Sequence, residues 1–219
     1  MAQSDIQGIV GQQTTAGAGV RIAIAASRTG ALVIQDQITQ WAVDGRLFHA
    51  QQGNANTRLA WTETAYDEDQ PQFAIRVPTG RSIIPVSLAI TVEIQAGTFT
   101  YFTWSTATND IGNGTSTDLT ISNMRSDAPH TSSCVARSLY TGNATAATGL
   151  KEVKRWVDPH VTAAGSRSDY DWNIRTAAAI PVLVGPATLQ MHTHATTSDA
   201  EGYLEAVWAE FETSALVAT

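Results

Sequence analysis

Ile83-Ile-Pro-Val-Ser-Leu-Ala-Ile-Thr-Val-Glu-Ile-Gln95 decides the class of fold. Its β-branched residues favour a strand over a helix, because two heavy atoms on Cβ crowd a helical turn but pack well on a pleated surface. Pro85 lies near its start, where a residue without an N–H suits a bend or an edge. Upstream, Phe73-Ala-Ile-Arg-Val is a second strand, stopped by Pro78-Thr-Gly80. Downstream, Ala96-Gly97 is a turn signal, and Thr98-Phe-Thr-Tyr-Phe-Thr-Trp-Ser105 alternates with a period of two. The sequence therefore predicts a hairpin pairing 83–95 with 98–105.

Working outward, the same alternation recurs. Arg21-Ile-Ala-Ile-Ala-Ala, Ala31-Leu-Val-Ile-Gln, Trp41-Ala-Val, Arg46-Leu-Phe-His and Thr57–Tyr66 read as short strands before the central pair. After it come Asp118–Arg125, Ser133–Tyr140, Trp172-Asn-Ile, Pro181-Val-Leu-Val, Thr188–His194 and Tyr203–Phe211. Leu150–Val157 fits either a strand or a helical turn, and no stretch has the period of an amphipathic helix. About eight useful strands beyond Phe73, joined by turn-rich loops, predict an all-β antiparallel sandwich of jelly-roll type. An immunoglobulin-like sandwich is the alternative, without the paired cysteines of its antibody members. The division expected is an extended N-terminal arm over 1–30 and a single sandwich domain over 31–219.

Bulk composition limits the function classes. Only 15% of residues are charged and 43% are hydrophobic, which points to a surface facing other protein. The formal net charge is −7, and Lys151 and Lys154 are the only lysines. Such a chain has no electrostatic footprint for nucleic acid or an anionic membrane, so neither is an expected partner. The start Met-Ala-Gln-Ser-Asp-Ile has no basic segment followed by an apolar core, and synthesis in a cytoplasm is expected. Cys134, the single cysteine, alternates within a strand and reads as a small buried residue.

The arm is rich in Ala, Gly, Gln and Thr. It is a poor free-standing element, yet too weakly charged for an ordinary solvated tail. Ordering against a neighbouring subunit fits it, with Ile6, Ile9, Val10, Val20 and Ile22 as apolar contacts.

The one pattern with metal chemistry is Gln190-Met-His-Thr-His194. Strand periodicity puts His192 and His194 on one face, and tight pairing of His194 with Tyr203 sets His192 opposite Glu205. A cupin-like metalloenzyme would use such a set. However, six residues rather than five separate Gly185 from His192, six separate His194 from Glu201, and no further histidine follows. No metal, cofactor or catalytic residue is therefore assigned. His49, His130 and His160 lie in turn-like surroundings and read as surface residues. Asp67-Glu-Asp69 lacks the glycine and distal glutamate of a calcium loop. Gly112-x-Gly114 is followed by no helix and is not a phosphate loop. Six separate tryptophans read as core and interface anchors rather than a sugar groove.

Four segments carry a resemblance: Phe73-Ala-Ile-Arg-Val-Pro-Thr-Gly-Arg-Ser-Ile-Ile-Pro-Val-Ser-Leu88, Asn123-Met-Arg-Ser-Asp-Ala-Pro129, Pro181-Val-Leu-Val-Gly-Pro-Ala187 and Gly202-Tyr-Leu-Glu-Ala-Val-Trp-Ala-Glu210. They resemble virion structural proteins of tailed bacteriophages, over roughly residues 70 to 212. The shared motifs are structural and mark no catalytic residue. The resemblance implies a jelly-roll capsid cement or decoration subunit on the capsid exterior. Such a subunit forms a homotrimer and binds the phage major capsid protein. A head-spike or fibre subunit, or a carbohydrate- or receptor-binding module, is the alternative role.

Overall fold

In a computed structural model of the chain, the described residues are 7–9, 21–23, 36–53, 57–61, 66–94, 100–142, 145–158, 167–195 and 200–216. Two short strands, β1 (Gln7–Ile9) and β2 (Arg21–Ala23), come first, followed by helix α1 (Gln37–Val43). Then come β3 (Leu47–Gln52), β4 (Leu59–Trp61), β5 (Phe73–Val77), β6 (Arg81–Ile94) and β7 (Thr100–Ala107). The chain continues through β8 (Thr115–Asp118), β9 (Ile121–Asn123), β10 (Val135–Gly142), β11 (Lys151–Asp158) and β12 (Ser168–Asn173). It ends with β13 (Leu183–Val184), β14 (Ala187–Ala195), β15 (Ala200–Glu212) and the single turn α2 (Thr213–Leu216).

These strands form the all-β sandwich expected from the alternation. One sheet has the order β11-β7-β14-β5-β10-β8. The other runs β12-β6-β15-β3-β9, with β13 added to β6 and β4 added to β15. All pairings are antiparallel. Between the sheets lies one apolar core. Phe73, Ile75, Phe102, Trp104, Leu189 and Met191 enter it from the first sheet, and Phe48, Leu88, Ile90, Leu204, Ala206 and Trp208 from the second. Burial of this apolar surface is the main stabilising term for such a fold.

Two hairpins expected from the sequence are not formed. β6 and β7 lie in different sheets, as do β14 and β15. β6 pairs instead with β15 over twelve residues of that strand, from Glu201↔Ile94 to Glu212↔Arg81, and β14 is held between β5 and β7. A period of two sets which face a side chain takes; it is silent on whether the next strand lies beside it or across the core.

Pro85 sits at a bulge. Val207 pairs with Ser87 but Trp208 pairs with Pro85, so Val86 is an extra residue on β6. The face therefore switches along the strand. Leu88, Ile90 and Val92 point into the main core, whereas Ile84 and Val86 join Val207, Ala209 and Phe211 in a second cluster on the outer side of the same sheet.

That outer cluster is covered by α1, where the sequence reading placed a strand at Trp41-Ala-Val. Ile38, Trp41 and Ala42 rest on the cluster, with Trp41 edge-on to Phe211 at 5.3 Å. Asp36 caps the helix: its backbone is extended and its Oδ2 accepts from the Thr39 N–H at 3.2 Å. Gly45, at φ +68°, follows the helix end, and a Cβ there would meet Pro129 Cγ at 2.3 Å. Seven residues show the helical period only once, at Ile38, Trp41 and Ala42, so the pattern is easily taken for alternation.

Leu150–Val157 resolves as strand β11. In the N-terminal stretch β1 and β2 pair with each other, Gly8 opposite Ile22 and Ile9 opposite Arg21. Ile9 and Ile22 thus lie on a two-stranded ribbon, while Ile6, Val10 and Val20 fall outside the described residues. Among the described residues no helix is long and apolar enough to cross a membrane.

Candidate functional site

The residues that suggested metal chemistry lie on the outer face of the first sheet. Register sets Gln190 beside Ser105, His192 beside Thr103 and His194 beside Tyr101. His194 stacks on Tyr101 at 5.3 Å, and His192 lies 5.0 Å from the Tyr66 ring. His192 is only 1% exposed. Burial drives its pKa down to about 4, against a smaller opposing pull from the backbone and charge of Asp67. It is thus a neutral imidazole at neutral pH. Glu205 stands in the other sheet, paired with Gln51. The expected His192–Glu205 arrangement does not form, because β14 and β15 are not neighbours. Among the described residues no three of His, Cys, Asp and Glu converge as a ligand set.

Around His192 the sheet face is polar, buried and incompletely satisfied. Both amide atoms of Gln190, Ser105 Oγ and Gln72 Nε2 have no hydrogen-bond partner among the described residues. Each unmet group of this kind costs on the order of 1–3 kcal/mol. The sequence displays these residues but not their burial, since the covering Tyr66 is remote in the chain.

Other candidate groups are tied up internally. Burial, reinforced by the nearby Glu210 charge, pushes the Cys134 thiol pKa up, so the thiol stays protonated. Glu210 accepts from Ser132 Oγ at 2.6 Å and from the Ser133 N–H at 2.9 Å. Asp67 accepts from the Asp69 N–H and from Gln70 Nε2, both at 2.9 Å, and so closes its own loop. In the glycine-containing loop Asp110 accepts the Gly112 N–H at 2.8 Å and holds Arg76 through two oxygens, at 2.5 and 2.8 Å. The hydrogen bond from Arg76 keeps the Asp110 carboxyl below its usual pKa. Trp61, Trp104 and Trp208 are fully buried core residues.

Two clefts remain. One, of about 430 Å³, is lined by Arg46, Arg81, His130, Glu210 and Glu212 among others. Its charged groups are engaged within the fold: Arg81 pairs with Glu212, Glu210 accepts from the two serines, and Arg46 lies over Phe211.

The other cleft, of about 590 Å³, is lined by His49, Gln51, Gly53, Asp118, Thr120 and Ser122, with Thr57 and Leu119 completing it. Its origin is topological. β8 pairs with β10 in the first sheet and β9 pairs with β3 in the second, so the chain changes sheets across Leu119 and Thr120. Leu119 packs against the core and donates its N–H to the Ala136 carbonyl at 3.0 Å. The last β3–β9 pair is Ala50↔Ile121, and the groove opens beyond it. Phe48 and Ala50 face the core, which turns His49 and Gln51 outward. His49 is therefore a strand residue, not a turn residue, with Nε2 3.6 Å from Glu205 Oε1. His130 is an exposed loop residue, and His160 lies outside the described residues.

In comparisons with known proteins, no protein-family model matches the chain, and no curated protein matches it.

Proposed function

We propose that the protein is a non-enzymatic structural subunit of a virion, a jelly-roll-type cement or decoration protein on the capsid exterior of a tailed bacteriophage. It assembles as a homotrimer that binds the major capsid protein and stabilises the head.

The observation that carries the assembly part of this reading is the contrast between sheet edges. β11, at one edge of the first sheet, bears Lys151, Glu152, Lys154 and Arg155; β8, at the other, reads Thr-Ser-Thr-Asp. Charged and hydroxyl side chains of this kind discourage edge-to-edge association. The edge formed by β13 is different. Ile180, Val182 and Val184 are 49%, 51% and 51% exposed, while Leu183 between them is buried against the core. Ile180 and Val182, in the segment leading into β13, and Val184 on β13 itself are large apolar residues exposed at alternate positions, and β13 pairs only with β6 among the described strands. A second copy of the same chain is the partner that fits: in a closed three-fold ring each copy offers this edge to the next, and the strip gains burial without needing charge. The low charge of the whole chain supports the same reading.

The test is sedimentation velocity on the wild type and on Val182→Lys/Val184→Lys. Both substitutions are at half-exposed positions and leave the core intact, so a folded monomer is the expected product. A double variant that sediments as the same oligomer as the wild type removes this edge from the interface.

A further inference from the structure

The groove at the sheet-switching corner has a chemistry that the assembly reading does not use. Its wall is built from hydroxyls (Thr57, Thr120, Ser122), an amide (Gln51), a carboxylate (Asp118) and an imidazole (His49). Donors and acceptors thus alternate over a short distance, with no lysine or arginine among the lining residues. Asp118 pairs with Arg137 Nη2 at 3.3 Å and is 78% exposed, so its carboxylate is open to solvent. Gly53, at φ +84°, packs closely on an aromatic ring, since a Cβ built there would meet Tyr203 Cδ1 at 2.8 Å. The volume of about 590 Å³ falls within the roughly 300–1,000 Å³ typical of small-molecule sites.

We propose that this groove binds a neutral sugar unit, a hexose or N-acetylhexosamine, through Gln51, Asp118, Thr120 and Ser122. A sugar ring presents closely spaced hydroxyls that both donate and accept, and this wall offers matching groups of both kinds. The Asp118 carboxylate, in a wall with no lysine or arginine among its lining residues, disfavours acidic sugars, phosphates and nucleic acid. The site stands on its own geometry, independent of the trimer.

The test is a transverse-relaxation-optimised NMR titration of the full chain with galactose, N-acetylglucosamine and lactose, with N-acetylneuraminic acid and a short Ala/Thr peptide as comparisons. At least one neutral sugar is expected to give saturable shifts at Gln51, Gly53, Thr120 and Ser122, and N-acetylneuraminic acid none. Gln51→Ala/Asp118→Ala is expected to weaken that binding by about tenfold or more, as loss of two hydrogen-bonding groups should. Thr120→Trp, which fills an exposed part of the groove, is expected to abolish it; Arg46→Ala, in the other cleft, should leave it unchanged. Absence of shifts with every neutral sugar overturns the proposal. So does equal binding of the acidic sugar, peptide binding in place of sugar, or wild-type affinity in the Gln51/Asp118 variant.

Discussion

His192 makes a quantitative prediction about acid sensitivity. In the folded chain its pKa is about 4, against 6.5 for the ordinary imidazole. Between those values the unfolded chain binds a proton that the native state refuses, so native stability falls as pH drops from about 6.5 and levels off below about 4. A difference of some 2.5 units, at 1.36 kcal/mol each, is worth about 3 kcal/mol. That is a large share of the roughly 5–15 kcal/mol typical of a domain. His192→Gln removes the titrating group from the same buried position. Urea unfolding followed by tryptophan fluorescence would be measured for both proteins near pH 7 and near pH 4.5. The wild type is expected to lose about 2–3 kcal/mol more than the variant over that interval, whatever their difference at pH 7. Asp110 does not confuse the result. Its carboxyl is lowered by Arg76, so its contribution is present above the ordinary carboxylate range and lost only as pH falls further. It is also common to both proteins. Equal losses in the two proteins would refute the burial of a neutral His192.

Two further substitutions probe the packing. A Cβ on Gly202 would lie 1.9 Å from the Thr91 carbonyl oxygen and 2.8 Å from Trp61 Cη2, so Gly202→Ala must push apart β6 and β15. A loss of about 2–4 kcal/mol in chemical unfolding is expected; a neutral result would mean the two strands are not so close. Gln190→Met replaces an amide whose two polar atoms are both buried and unpaired by an apolar chain of similar length. A gain of about 1–2 kcal/mol is expected, and a loss would show that the amide has partners in solution.

How much was legible in the sequence depended on which physical signal each feature uses. The sandwich was readable because strands such as Phe73–Val77 and Thr100–Ala107 carry a period of two and β-branched or aromatic residues. Strand partners were not, since the alternation of 189–194 is the same whether β15 lies beside it or across the core. The helix at Gln37–Val43 was hidden by its length, although Asp36 and Gly45 both mark its ends. Within the site, His192 was visible but its burial was not, because Tyr66 reaches it from another part of the chain. The groove was invisible for a similar reason: Gln51 and Asp118 belong to separate segments that meet only where the chain changes sheets between β8 and β9.

The central claim is that this sandwich is an assembly subunit, and native mass spectrometry of the purified wild-type chain tests it most directly. One chain weighs 23.3 kDa, so the expected species is a trimer of about 70 kDa that persists on dilution, as a permanent, largely apolar interface should. A spectrum dominated by the 23.3 kDa monomer at every concentration would contradict it.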